Sequence, residues 1–298
     1  MKNYLAYFAL LGLCKFVSCL PSFLIRSTGS LLGRILYLLF PYRRNVILEN
    51  LRLAYHHEKE EKEIRSLGRK NFVHYVFLAA EFSLLSSLSK EDFLKRIEVK
   101  NIHFWEEVIS KKRGIIFLTC HLGNFEWMAA GAGSKGYPLY TLARPFANPL
   151  VNRWVSAHRK KWGIQEIHPK NAKWKLFELL KQNQMVGFMI DQRKSPPDGI
   201  FVNFFGRPAG TTKGLAYLVE RTDAVVLPVY NYRVSFGRFI IHFEEPISYK
   251  RVGSRLENIY HNTQVYTAIA ERMIRKHPEQ WFWIHRRWKG SLSEPVVG

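Results

Sequence analysis

The sequence predicts an α/β fold, a central mixed sheet flanked by helices, preceded by an N-terminal apolar membrane-anchor helix. Three observations predict it. Short, β-branched apolar runs end abruptly in polar residues, helix-like stretches separate those runs, and no linker, repeat or low-complexity tract divides the chain.

The first of these elements is apolar. Tyr4 to Ile25 is broken only by Lys15 and Pro21, a length that matches the hydrocarbon thickness of a bilayer. It lacks the small-residue cleavage site of a signal peptide. Leu31 to Phe40 is too short to span, carries Arg34 and runs into Tyr42-Arg43-Arg44, the pattern of an interfacial helix held by cations. Residues 1–40 therefore read as anchor and interfacial helix, spanning the membrane or lying in its interface, and residues 41–298 as the α/β domain. A core helix of a soluble domain is the competing reading.

His56 to Lys70 reads as a solvated helix start, with Glu58/Lys62 and Glu61/Arg65 spaced for helical charge pairs. Asn71 to Leu88 continues it with an aromatic face. Gly114 to Cys120 is a buried strand ending at His121, and Met185 to Ile190 is another ending at Asp191. Ala224 to Tyr230 and Phe239 to Phe243 are two further strands. Helices fall at Asn152–Trp162, Lys173–Gln182 and Thr212–Arg221. Open α/β sheets place their sites just past the carboxyl ends of strands. His121 and Asp191 both stand there.

With 47% apolar and 14% aromatic residues the chain is neither disordered nor low in complexity. Its 45 Lys and Arg against 24 Asp and Glu leave +21, which calls for a polyanionic partner or surface. Nucleic acid, anionic lipid headgroups and an acidic carrier protein all qualify. Cys14, Cys19 and Cys120 form neither a metal spacing nor a disulfide framework and read as small core residues in a reducing compartment. A nucleophilic Cys120 is poorly placed, because neighbours on a strand point to opposite faces.

A His followed five residues later by an acid is a weak pattern. With 11 His and 24 acids, about one match arises by chance. The chain has two. His56…Glu61 lies in a charge-rich helix with no strand beside it. His121…Glu126 lies at a strand-to-helix turn, where Gly123 loosens the chain and Asn124 can cap the helix. Acyl transfer to an alcohol needs a base near its pKa to take the hydroxyl proton, and His serves if a second group fixes its tautomer. Glu126 is the residue expected in that second role; a capping His beside an unrelated surface Glu is the alternative. Arg144 and Arg159 are the cations expected near the reacting carbonyl or an acceptor phosphate, unless they are solvated surface residues. Asp191 is expected to orient an Arg, to bind the acceptor or to cap a helix. Trp281, Trp283 and Trp288 read as core or interface anchors.

The block His121-Leu122-Gly123-Asn124-Phe125-Glu126-Trp127 resembles the H-x4-D/E motif of glycerolipid-type acyltransferases, in the variant of the late acyltransferases of lipid A biosynthesis. The resemblance runs through nearly the whole chain. It includes Gly33-Arg34 with Arg43, Arg44, Asn50 and Leu51, then Ala143-Arg144-Pro145 with Asn148-Pro149-Leu150. It continues through Asp191-Gln192 and Phe204-Phe205-Gly206 to His277-Pro278-Glu279-Gln280-Trp281 and Arg287-Trp288.

The resemblance implies a glycerolphosphate-acyltransferase-like sheet and catalysis by His121 and Glu126, and Arg144, Arg159 and Asp191 remain the residues expected to bind substrate. It also implies no cofactor or metal, acyl carrier protein as donor, and a lipid A precursor with a free hydroxyl as acceptor. Another glycolipid or phospholipid is the alternative acceptor. The expected setting is the inner membrane, among membrane lipids, with the catalytic domain facing the cytoplasm. The basic run Arg159-Lys160-Lys161 is the expected carrier-docking patch. A basic nucleic-acid-binding protein is the main rival, but no nucleic-acid module is present and an apolar anchor does not suit one; no nucleic acid is therefore expected.

Overall fold

The computed structural model describes residues 2–291. Three helices open the chain: α1 (Lys2–Cys19), α2 (Ser22–Leu39) and α3 (Pro41–Ala54). The apolar run from Tyr4 to Ile25 is thus not one helix. It breaks at Leu20-Pro21, because proline offers no N–H and pushes the preceding residue out of the helical region. Among the described residues no single helix is long and apolar enough to cross a membrane; α2 and α3 together reach that length and composition but meet at 94°. Nor does α2 stand apart from the rest. A methyl group on Gly33 would lie 2.5 Å from the Val73 Cα, so α2 packs directly on the backbone of the long helix α4 (Glu61–Ser87). Tyr37 and Phe72 pack edge to face in the main core.

A short helix α5 (Lys90–Leu94) leads into the sheet, whose strands are β1 (Ile97–Lys100), β2 (Ile115–Thr119), β3 (Leu139–Leu142), β4 (Ile164–Ile167), β5 (Met185–Met189), β8 (Val225–Ser235) and β9 (Arg238–Phe243). Their spatial order is β1-β9-β8-β2-β5-β3-β4. β8, β2, β5, β3 and β4 run parallel, while β9 is antiparallel to β8 and β1 follows β9, so the sheet is mixed as expected. β6 (Gly199–Phe204) and β7 (Arg207–Thr212) form a separate hairpin. It turns at Phe205 and Gly206, both at positive φ, the geometry of a two-residue primed turn.

Helices cover both faces: α6 (Ile102–Ser110) and α7 (Phe125–Ser134) on one, α9 (Ala172–Lys181), α10 (Gly214–Thr222) and α11 (Arg255–Lys276) on the other, with α8 (Pro149–Lys161) between β3 and β4. β2 is buried along its whole length, as a central parallel strand should be. Ile116, Leu118 and Cys120 enter the larger core, whereas Ile115 and Phe117 enter a second cluster under α6 and α7. His121 continues that second face.

Candidate active site

β2 and β5 pair in parallel with Thr119 opposite Met189. Two residues further on, the same register sets His121 beside Asp191. The His121 Nδ1 lies 2.8 Å from Asp191 Oδ1, and the His121 amide donates to Oδ2 at 2.9 Å. Trp281 adds its indole N–H to Oδ2 at 2.7 Å. Burial alone would push the Asp191 carboxyl up; the His121 charge and these hydrogen bonds instead hold it down at about 2. Burial likewise pulls His121 down, and the charge and hydrogen bond of Asp191 overcome this and raise it above the ordinary histidine value. With an ionised carboxylate on Nδ1, that nitrogen carries the proton and Nε2 presents its lone pair. The rings of Phe125 and Phe282, centred 5.4 and 5.9 Å away, confine the imidazole.

The orienting acid is therefore Asp191, and the expectation for Glu126 is corrected. Glu126 is drawn off by Arg159, whose Nε donates to both carboxylate oxygens at 3.1 and 3.2 Å. Arg159 also bridges to Glu166. Although burial would lower it, the Arg159 guanidinium is raised above its usual value by these two carboxylates. Arg159 is thus paired with two carboxylates and does not line the cavity described below, unlike the free cation beside the reacting carbonyl that was expected. The physical reason is direction: Glu126 lies on the second residue of α7 and its side chain meets α8 rather than the strand end. Arg144 is exposed and lines the mouth of the cavity described below. Lys161 donates to the Leu88 carbonyl at 3.1 Å. Lys160 and Lys161 close α8 just before β4 begins, at the amino end of the parallel strands, opposite His121.

The turn between β2 and α7 is pinned from several sides. Gly123 has φ +62°, and a Cβ there would lie 2.2 Å from the Asn231 carbonyl, so glycine is required. Asn231 in turn accepts from the Asn124 amide at 3.1 Å and donates to its carbonyl at 2.8 Å. The Asn124 side chain caps α7 and donates to Glu81 at 3.2 Å. Fully buried Glu81 is neutralised by Arg233, which also contacts His74. Leu122 bridges to Trp281. Asn71 holds the carbonyls of Glu279 and Trp281, and Asn50 those of Trp283 and His285, all within 2.9 Å. The C-terminal segment thereby becomes a wall of the site. Trp281, Trp283 and Trp288 are buried core residues, with Trp281 contributing its N–H to the dyad as well. Cys120 faces the other core, where burial and then the Asp191 charge push its thiol well up; it is no nucleophile.

His121, Thr119 and Phe117 open onto a cavity of about 1070 Å³ between the sheet and helices α6 and α7. Its walls are largely apolar, including Trp105, Phe125, Met128 and Phe243. Gly187 in β5 leaves room in that wall; a side chain there would press on Thr141 at 3.2 Å. Arg144 and Gln192 stand with His121 at the polar end. Among the described residues no group of three His, Cys, Asp or Glu is placed to hold a metal.

An imidazole held by a buried carboxylate at the ends of parallel strands opens into a largely apolar cavity, the arrangement of an α/β enzyme site. The profile of the bacterial lipid A biosynthesis acyltransferases matches residues 1–290, and the chain belongs to that family. It is similar to the lipid A biosynthesis lauroyltransferase of Escherichia coli, 25% identical over 94% of this chain and 90% of that protein. It is also similar to lipid A biosynthesis acyltransferase 2 of Shigella flexneri, at 23% over 98% and 94%. The palmitoleoyltransferase of Escherichia coli is 22% identical over 97% and 92%. Among solved structures, the likeness to the 1-acyl-sn-glycerophosphate acyltransferase of Thermotoga maritima is remote, with a TM-score of 0.40 and 14% identity over 85% of this chain and 97% of that one.

Proposed function

We propose that this acyltransferase moves a fatty acyl chain from an acyl carrier protein thioester onto a free hydroxyl of a lipid A precursor, with His121 as general base. The carrying observation is the His121–Asp191 pair at the polar end of an apolar cavity large enough for an acyl chain. The acyl tail lies along Phe117, Met128 and Phe243, which sets the thioester carbonyl beside Nε2. The acceptor oxygen attacks that carbonyl as Nε2 takes its proton, and Asp191 stabilises the imidazolium that forms. On collapse the C–S bond breaks and the thiolate recovers the proton. Arg144 at the mouth offers a cation to the acceptor or to the developing charge. No cofactor is required.

The net charge of +21 favours both an acidic carrier and a phosphorylated acceptor. The first acidic residue of the chain is Glu49. Before it, α1 and α2 expose Leu5, Phe8, Phe16, Leu31, Leu38 and Leu39. An apolar face with cations and no acids suits the surface of an anionic leaflet, and this supports placing the enzyme on the cytoplasmic side of the inner membrane. The test is transfer from a carrier-protein thioester to a phosphorylated glucosamine lipid, read by mass spectrometry, for the wild type and His121→Ala. Equal product from both would overturn the reading. Vesicle flotation of Leu38→Glu/Leu39→Glu tests the membrane face, which should bind more weakly than wild type.

A further inference from the structure

We propose that Gln192 supplies the side-chain N–H that stabilises the thioester oxygen during attack, and that in the resting enzyme this same N–H caps the catalytic nitrogen. The proposal rests on the acyl-transfer reading above. The Gln192 Nε2 lies 3.3 Å from His121 Nε2, and Gln192 lines the cavity at its polar end. Because Nδ1 is committed to Asp191, Nε2 holds a lone pair, so the amide must turn its N–H toward it. That contact blocks the position the acceptor hydroxyl needs. Gln192 is exposed and its backbone follows Asp191 directly, so its side chain can rotate off His121 while the dyad stays in place.

The tetrahedral intermediate needs donors within reach of the carbonyl oxygen. Three amides of the His121 turn are already spent: Leu122 N donates to Cys120, Gly123 N to Gln280, and Asn124 N to Asn231. The side chains of Phe125 and Phe282 beside the ring offer no donor. Gln192 is the neutral side-chain donor within one hydrogen bond of the base, so a carbonyl beside Nε2 lies within its reach. As the acceptor oxygen bonds to the carbonyl carbon, the C=O π pair moves to oxygen and the Gln192 N–H follows it. When the pair returns, the C–S bond breaks, and Gln192 falls back onto Nε2 once His121 has passed its proton to the thiolate.

The test uses the full chain with Gln192→Ala and the isosteric Gln192→Met. Three quantities are measured: acyl transfer, slow donor hydrolysis without acceptor, and the His121 pKa by NMR. Transfer and hydrolysis should fall together by ~10²–10³-fold, since both pass through the same oxyanion. The His121 pKa should rise, because a hydrogen bond to the neutral form has been removed. Loss of transfer with intact hydrolysis would assign Gln192 to the acceptor and overturn the proposal, and so would unchanged rates in both variants. The NMR measurement needs no substrate. If the wild type fails to use the donor, the reaction class is wrong, and an unmoved His121 pKa overturns the resting contact separately.

Discussion

Two carboxylates near His121 have opposite fates. Asp191 is buried at a strand end and shares its charge with an imidazole and an indole N–H. Glu126, in the first turn of α7, is gripped by Arg159, which also holds Glu166. The first carboxylate faces a group that can gain and lose a proton, so it can support catalysis. The second faces a guanidinium that stays protonated, and the pair joins α7 to α8. The lesson is that a short motif identifies an acid by spacing, whereas its role depends on which partner lies across from it.

Substitutions at the two sites should separate these roles. The largest effect belongs to His121→Ala, which should cut transfer by ~10²–10⁴-fold with the fold intact by circular dichroism. Asp191→Asn should follow, at roughly 10²-fold. It should also carry a signature in pH. The base works unprotonated, so activity rises as pH climbs through the elevated His121 pKa. Without the Asp191 charge that pKa falls, and the acid limb of kcat/KM should move to lower pH. An acid limb that stays in place would return the orienting role to some other group.

Stability gives the same pair a second reading. The Asp191 pKa is depressed from about 3.9 unfolded to about 2 folded. Its contribution is therefore present above about pH 4 and is lost as pH falls toward 2. Urea melts of wild type and Asp191→Asn should differ above that window and converge within it.

Glu126→Gln should act mainly on folding. It leaves a partly buried guanidinium with one carboxylate instead of two, costing about 1–3 kcal/mol, seen as a lower Tm. Activity should fall less than in Asp191→Asn, and the acid limb should not move. A double-mutant cycle with Arg159→Gln should show strong coupling to Glu126 and little to Asp191. If Glu126→Gln instead shifts the pH profile, the two carboxylates share the catalytic work.

The smallest effect is expected at Lys160→Glu/Lys161→Glu. These residues lie at the amino end of the strands, so carrier-thioester kcat/KM should stay within about twofold while still falling with salt. A large, salt-sensitive loss would restore this end of the sheet as the docking face.

Much of the fold is legible in the sequence. The runs ending at His121 and Asp191 are strands of the central sheet because short, continuous apolar stretches suit strands buried on both faces. β3 and β4 leave no clear signal in the sequence, because four-residue strands such as Leu139–Leu142 are too short to show a period. The hairpin that turns at Phe205-Gly206 was absent from the sequence reading, and its positive φ values appear only in the structure. Pro21 was visible as an interruption, yet its consequence, two helices packed on the domain instead of one span, depended on the contact of Gly33 with Val73.

The sequence by itself determined the element types, the basic surface, and that His121 and Asp191 each close a strand. Those properties are local, set by side-chain shape and charge along a few residues. Which acid serves the histidine was decided only by tertiary structure. Pairing between β2 and β5 joins residues 70 positions apart, and no spacing along the chain encodes that neighbour. The same holds for Trp281, a core aromatic by composition, whose indole reaches Asp191 only because Asn71 and Leu122 hold the C-terminal segment across the strand ends.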